Sequence, residues 1–376
     1  MLSFKPKYLK HGREMVHGAR RLLNYKRDFW TPEQIRDFEE KIDALQGALA
    51  KRDKKAVEKA ATILDQTAGK LSPALPHPGW RENCEVILTV IVIVAGIRAY
   101  LLQPFKIPTG SMQPTLFGMV GTPTENPPPN PITRAFDFAV KGRTWLDLKA
   151  ERDERVVGLS ESTRLNFFTF TTISTVDSNQ QAHEYTVFAP AQVVSKDFNV
   201  GGTYREGEPI VRGYVDSGDH VFVDKVTYNF RKPQLGDVFV FKTIGIRKIQ
   251  QQLAEGIDSQ HYIKRLVGLP GDKLRIDPPN LYIDGSIPDV PSLQRVMSLK
   301  DGYGGYSNGS ANGNSFTYLG NPEATFTVPD ATYFAIGDNS YHSSDSRHWG
   351  VVPETNVSGR GFFVIWPFTS RWGLVD

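Results

Sequence analysis

The sequence predicts a mainly β protein held behind one membrane-spanning helix, with a helical unit on its N-terminal side. Three observations carry that prediction. Val86–Phe105 is an apolar run of 20 residues with a single charge, Arg98. At about 1.5 Å per helical residue it is long enough to cross a hydrocarbon core of about 30 Å. After it come short runs rich in Val, Ile, Phe and Tyr, separated by Gly-Asp and Pro-Gly turns, the texture of antiparallel strands. Before it, apolar residues recur at helical spacing.

Residues 1–80 form the helical unit and its linker. Thr31-Pro32-Glu33-Gln34 reads as a helix start, with a threonine cap, proline in the first turn and Gln34 reaching back. Ile35, Phe38, Ile42, Leu45 and Leu49 then make one apolar stripe, and Val57, Ala61 and Leu64 suggest a second helix folded against the first. Such a hairpin either docks a partner or packs on itself. Leu71–Gly79, with Pro73, Pro76 and Pro78, reads as a linker. The anchor, 85–105, is too long and too far along the chain for a cleaved signal sequence. Pro104 and Pro108 are expected to stop its helix. Met1–Arg81 carries 17 Lys/Arg against 10 Asp/Glu, which favours the cytoplasm for that side, although Lys106 stands just past the other end.

Composition narrows the classes. A chain of 376 residues holds two or three structural units, and a net charge of +3 is too small to argue for nucleic acid. One cysteine, Cys84, excludes an internal disulfide and a cysteine-built zinc site. In the β-rich part, 106–376, Val221–Val223, Val238–Phe241, Tyr262–Val267, Phe334–Ile336 and Phe362–Ile365 read as strands. Gly118–Asn130 is a Pro/Thr/Asn-rich loop leading into a β-prone stretch that includes Phe167–Val176 and Tyr185–Val194. Residues 294–325 form a variable Gly/Asn/Ser-rich region, within which Asp301–Gly313 is expected to be a mobile surface loop. Asn308 and Asn356 each begin an Asn-X-Ser tripeptide of the glycosylation type.

Candidate chemistry lies in three places. Gly110-Ser111 forms a tight turn a few residues past the apolar run, placing a serine at a membrane surface. On the strand 262–267, alternation puts Tyr262, Lys264 and Leu266 on one face. Lys264 then either carries its head to solvent or is buried, in which case desolvation favours the neutral amine, a general base. Gly337–Gly350 is a dense cluster of short polar groups: a hydrogen-bonded turn network, a Ser-His-Asp arrangement, or weakly a metal site through His342 and His348.

These segments together resemble the bacterial type I signal peptidase (leader peptidase) family of membrane-bound Ser/Lys proteases. The matching blocks are Pro108–Leu116, Gly218–Lys225, Gly236–Lys242, Tyr262–Asp272 and Gly337–Gly350, in the family's order behind an anchor. The resemblance implies a signal-peptidase-like antiparallel β catalytic domain outside the cytoplasm, on a single-pass protein of the bacterial inner membrane. It implies Ser111 as nucleophile and Lys264 as its base, with no metal and no cofactor. Thr109 and the Ser111 N–H would form the oxyanion hole. Ser343 would orient the lysine, and Asp345, Arg347 and Arg265 would brace the strands. Phe105, Ile107, Pro108, Met112, Leu116, Tyr262 and Ile263 would line small apolar pockets selecting an Ala-X-Ala site on an extended peptide. Phe117 and Met119 would either dip into lipid or pack in the β core. Implied partners are preproteins, the bilayer and the secretion translocon, with no nucleic acid.

Two features depart from the family pattern. Gly118–Ser217 is an insertion of about 100 residues, read as an added β-rich subdomain, and His261 stands where relatives often carry a carboxylate. Three other readings compete. A self-cleaving Ser/Lys regulator is disfavoured by the anchor and by the 153-residue gap between Ser111 and Lys264. A non-catalytic scaffold is disfavoured by the presence of both residues. A mitochondrial relative is disfavoured by Glu14, Asp28 and the scarcity of serine near the start.

Overall fold

A computed structural model of the chain describes residues 6–72, 78–164, 168–252 and 259–375. It divides into two compact units, Met1–Val92 and Ile93–Asp376, with the boundary inside the apolar helix. The architecture is mixed α/β rather than mainly β, because the N-terminal part is more helical than the periodicity suggested.

The first unit contains α1 (Lys7–Lys26), α2 (Pro32–Lys51) and α3 (Lys54–Leu71). Helix α2 starts as expected: the Gln34 N–H donates to Thr31 Oγ1, and the Thr31 N–H donates to Gln34 Oε1. Phe38, Ile42 and Leu45 of α2 meet Val57 and Leu64 of α3, confirming the hairpin. Helix α1 makes it a three-helix bundle by adding Val16, Ala19 and Leu23. Its buried stripe (Leu9, Gly12, Val16, Ala19, Leu23) is built partly from small residues among many charges, so the apolar signal is faint. Of the expected linker, 73–77 lie outside the described residues.

Helix α4 (Pro78–Tyr100) is the one helix among the described residues long and apolar enough to cross a membrane. Its apolar side chains from Val86 to Val94 are all more than half exposed, a surface suited to lipid rather than to water. It ends sooner than the apolar run, for Leu102–Lys106 is a strand, β1. Pro104 therefore does not terminate a helix. It sits in an edge strand, where a missing N–H is tolerated.

In the second unit β1 opens an antiparallel sheet. It continues through β9 (His220–Asp224), β17 (Val357–Trp366), β10 (Val238–Lys242), β11 (His261–Gly268), β15 (Thr332–Ile336) and β16 (Val352–Pro353), with β18 (Gly373–Leu374) against β17. Register shifts along β17 and β11 bend the sheet into a curled half-barrel. A second sheet, β13 (Asn280–Ile283), β12 (Lys273–Asp277) and β14 (Thr325–Thr327), shares a core with β15 through Leu274, Ile276, Leu281, Phe334 and Ile336.

Residues 118–217 form two sheets of their own. One is β2 (Met119–Pro123), β8 (Pro209–Ser217) and β3 (Arg143–Lys149). The other is β6 (Ala182–Val187), β5 (Phe168–Asp177), β4 (Glu154–Arg164) and β7 (Thr203–Tyr204). Their core, with Ile173, Val194, Ile210 and Val211 at its centre, is separate from the clusters of the main sheet. The expected strand 185–194 is broken: β6 stops at Val187, and Pro190 starts a short helix, Ala191–Lys196. Phe167 lies outside the described residues.

The Gly/Asn-rich region is not a solvated loop. Tyr303, Tyr306 and Ser307 are buried, the two tyrosines within the core of the second sheet. The two Asn-X-Ser asparagines are committed as well. Asn308 Nδ2 donates to the carbonyls of Ile276 and Leu319, and Asn356 Nδ2 to those of Lys242 and Ile244, so neither amide is presented to a glycosylating enzyme.

Candidate active site

The segment after β1 carries Ser111 across the open face of the half-barrel. The Ile107 N–H donates to the Asp219 carbonyl, Thr109 is extended, and Gly110–Met112 make one 3₁₀ turn. Met112 and Leu116 are fully buried and pin the turn from below. From above, the Asn339 N–H donates to the Ser111 carbonyl and Asn339 Nδ2 to the Gly110 carbonyl, both at 3.1 Å. Two glycines permit this packing. A Cβ on Gly337 would strike the Ser111 carbonyl oxygen and Ser343, and one on Gly118 would strike the backbone of Thr109.

Strand β11 delivers Lys264, which is only 5% exposed, with Nζ 2.6 Å from Ser111 Oγ. Burial is the main influence on the amine and pushes its pKa down to about 8. The Asp345 and Asp338 carboxylates pull it back up, and Arg347 lowers it further. Thr109 Oγ1 lies 3.5 Å from Ser111 Oγ. Ser343 is buried nearby, against Gly337, but its Oγ makes no hydrogen bond; the expected contact with Lys264 is not formed.

Two buried ion pairs frame these groups. Arg347 grips Asp345 through Nε and Nη2 at 2.8 and 2.6 Å, and Nη1 ties in the Ser307 carbonyl and Ser340 Oγ. Arg265 pairs with Asp338, at 2.8 and 2.6 Å. Thr115 Oγ1 donates to the same Asp338, so the turn bearing Ser111 is bolted to the strand bearing Lys264. Both arginines meet their carboxylates in bidentate pairs, which offsets the burial of these four charges. Sequence reasoning missed Asp338, Asn339 and Thr115 as contributors. All three stand inside the matching blocks Pro108–Leu116 and Gly337–Gly350, but what they touch was not visible there.

The expected pocket residues separate into two groups. Phe105, Pro108, Tyr262 and Ile263 are at least partly exposed, whereas Ile107, Met112 and Leu116 are buried in one cluster against which Ile263 packs. Phe117 packs under the Arg371 guanidinium and Met119 against the core of the 118–217 sheets, so packing is the better reading for both. The His261 ring lies 5.1 Å from that of Phe105, and burial beside Lys242 and Lys225 pushes its pKa down. Strand β11 pairs with β15 only from Arg265 onward, leaving His261–Lys264 with one open edge among the described residues. Among the described residues, strand β1 pairs only with β9 and is open on its other side. The Phe105–His261 contact brings these two open edges together as the sides of one slot that ends at Ser111.

A buried, partly neutral amine on a serine hydroxyl, below a slot with strand edges, is the equipment of a serine-type peptidase. The family model and the relatives found by sequence point the same way. The family described as signal peptidase, peptidase S26, matches residues 211–366, which include Lys264 and the 337–350 cluster but not Ser111. The chain is 31% identical over 163 residues to a probable signal peptidase I-1 of Synechocystis sp., covering 42% of this chain and 67% of that one. It is 30% identical over 157 residues to the same organism's probable signal peptidase I-2, covering 42% and 59%. With signal peptidase IB of Staphylococcus aureus it shares 31% over 133 residues, covering 35% and 68%. A solved signal peptidase I from Enterococcus faecalis V583 is 27% identical and aligns over 35% of this chain and 97% of its own, with a TM-score of 0.24. The chain belongs to the bacterial signal peptidase I (S26) family.

Proposed function

We propose that the protein removes signal peptides from exported preproteins with Ser111 as nucleophile and Lys264 as general base. The observation that carries this reading is the 2.6 Å approach of Lys264 Nζ to Ser111 Oγ in a buried setting. Neutral Lys264 takes the Ser111 proton as Oγ attacks the scissile carbonyl. The oxyanion is held by the Ser111 N–H and, after a side-chain rotation, by the Thr109 hydroxyl. The Lys264 ammonium then protonates the leaving amine, giving an acyl-serine and the mature chain's new N-terminus. Lys264 next deprotonates a water that attacks the ester and frees Ser111. Asp345, Arg347, Arg265 and Asp338 keep the two reacting groups in register, and Ser343 supplies a hydroxyl next to the turn for the charged lysine to engage.

The peptide lies extended in the slot and pairs with the open edges of β1 and His261–Lys264. Phe105, Pro108, Tyr262 and Ile263 leave room only for small side chains, so exclusion sets an Ala-X-Ala preference. We place the catalytic domain outside the cytoplasm, the three-helix bundle inside it, and the 118–217 subdomain where it could gate substrates or meet the translocon. Cleavage of a preprotein with an Ala-X-Ala site by the purified chain in detergent tests the proposal. Cutting after the final alanine is expected from the native protein and from neither Ser111→Ala nor Lys264→Ala. Equal cleavage by either folded variant would refute it.

A further inference from the structure

Five cations, Lys7, Lys10, Arg13, Arg20 and Arg21, stand on the exposed side of α1, with Glu14 the one acid among them. Lys10 reaches Glu14 at 3.9 Å and Arg20 reaches Gln46, so most of this charge faces outward unneutralised. Beyond them Tyr25 and Phe29 are 66% and 80% exposed, with the Lys26 ammonium 5.3 and 5.7 Å from their rings. On the exposed side of α2 the acids Glu33, Asp37, Glu39, Glu40 and Asp43 outnumber the bases Arg36, Lys41 and Lys51, with Lys41 paired to Asp37 at 2.9 Å. Charge is thus uneven around the bundle: α2 is net acidic, α3 is modestly basic with Lys54, Lys55, Lys59 and Lys70 against Glu58 and Asp65, and α1 is the most basic and alone leads into the exposed aromatic pair.

We propose that the basic face of α1 lies on the anionic headgroups of the bilayer that α4 enters. The inference rests on α4 crossing that bilayer. Charge complementarity selects the face, since an anionic surface attracts α1 and repels the acidic row of α2. Exposed aromatic rings beside cations suit the headgroup zone. Proximity is enforced by the chain. Six residues, 72–77, separate Leu71 from Pro78, and even fully extended they reach about 25 Å. The lipid surface is thus always at hand, while a soluble polyanion must compete for the same cations from dilute solution.

The test uses the full chain carrying Cys84→Ser and Gly18→Cys, labelled at position 18 with an environment-sensitive fluorophore. Gly18 is on the exposed side of α1, and a Cβ there meets nothing within 4 Å. In nanodiscs with about a third anionic lipid the emission is expected to be blue-shifted relative to purely zwitterionic discs. The shift should vanish near 1 M salt, where the screening length falls to about 3 Å. Each cation contributes roughly fivefold to surface partition. Lys7→Glu, Lys10→Glu and Arg21→Glu together should lower it at least about a hundredfold and abolish the shift, with helical content unchanged by circular dichroism. If that variant unfolds, the salt response of the labelled native sequence decides alone. Identical emission in both disc types, with the chain co-eluting with the discs, overturns the proposal. So does a shift produced by RNA and not by anionic lipid. Failure to enter discs at all would remove the membrane reading of α4, and this inference with it.

Discussion

Lowering the pH should switch off catalysis while leaving the fold intact, because the step requires Lys264 without its proton. Burial takes the amine from 10.5 to about 8. At pH 7 about 9% is then neutral, against about 0.03% for an unperturbed lysine, a gain of about 300-fold in active base. Below pH 8 the neutral fraction falls nearly tenfold per unit, so kcat/KM should drop about 90-fold between pH 9 and pH 6. The assay is kcat/KM for a preprotein substrate across that range, with tryptophan emission monitored for folding. A flat profile in a folded enzyme would refute lysine as the base. The same burial has a thermodynamic counterpart. The unfolded chain holds the Lys264 proton up to 10.5 and the folded one only to about 8, so below pH 8 the folded state carries the full cost of the buried charge. That cost, about 3 kcal/mol, is relieved as pH rises from 8 to 10.5. Lys264→Met should therefore be inactive yet more stable at pH 7, with the gain gone above pH 10.5, as read by denaturant midpoints.

Other substitutions probe the frame. Asp338→Ala leaves the Arg265 charge buried without its carboxylate and should cost about 3–5 kcal/mol of stability, measured by urea unfolding. In Gly337→Ala the new methyl displaces the Ser111 carbonyl, and kcat is expected to fall about 100-fold with KM little changed. Thr109→Val should lower kcat about 100-fold and Thr109→Ser restore it, because only the hydroxyl contributes to the oxyanion site; equal rates for the two would remove Thr109 from that role.

Ser111 and Lys264 were legible as candidates: local pattern alone marked a turn of small residues behind an apolar run and left the strand lysine open, and the blocks around them singled out the pair. Positions depending on distant partners were not legible. Arg265 was read as a brace, but its carboxylate, Asp338, lies 73 residues away and was indistinguishable in sequence from Asp345. Tyr303 and Tyr306 sit in a segment whose glycines and asparagines signal exposure, and only the core beneath them reveals otherwise. The end of α4 was misplaced because apolar content alone does not separate a helix from an edge strand that continues it. The bundle's first helix was missed because the bury-and-expose pattern of α1 uses glycine and alanine where leucine would have been conspicuous.

The place of β17 in the sheet has a consequence for how the site is joined. This strand, 357–366, lies between β9 and β10, so the middle of the half-barrel is supplied by a segment made long after both neighbours. Without β17, β1 with β9, and β10 with β11, are two separate ribbons, and the serine follows one while the lysine lies on the other. Strand β17 pairs with β9 on one side and β10 on the other, while the contacts of Asn339 and Asp338 join the Ser111 turn to β11 from a second direction. The order of strands in the sheet therefore departs from their order along the chain, and the two ribbons are joined side by side only through a strand that follows both.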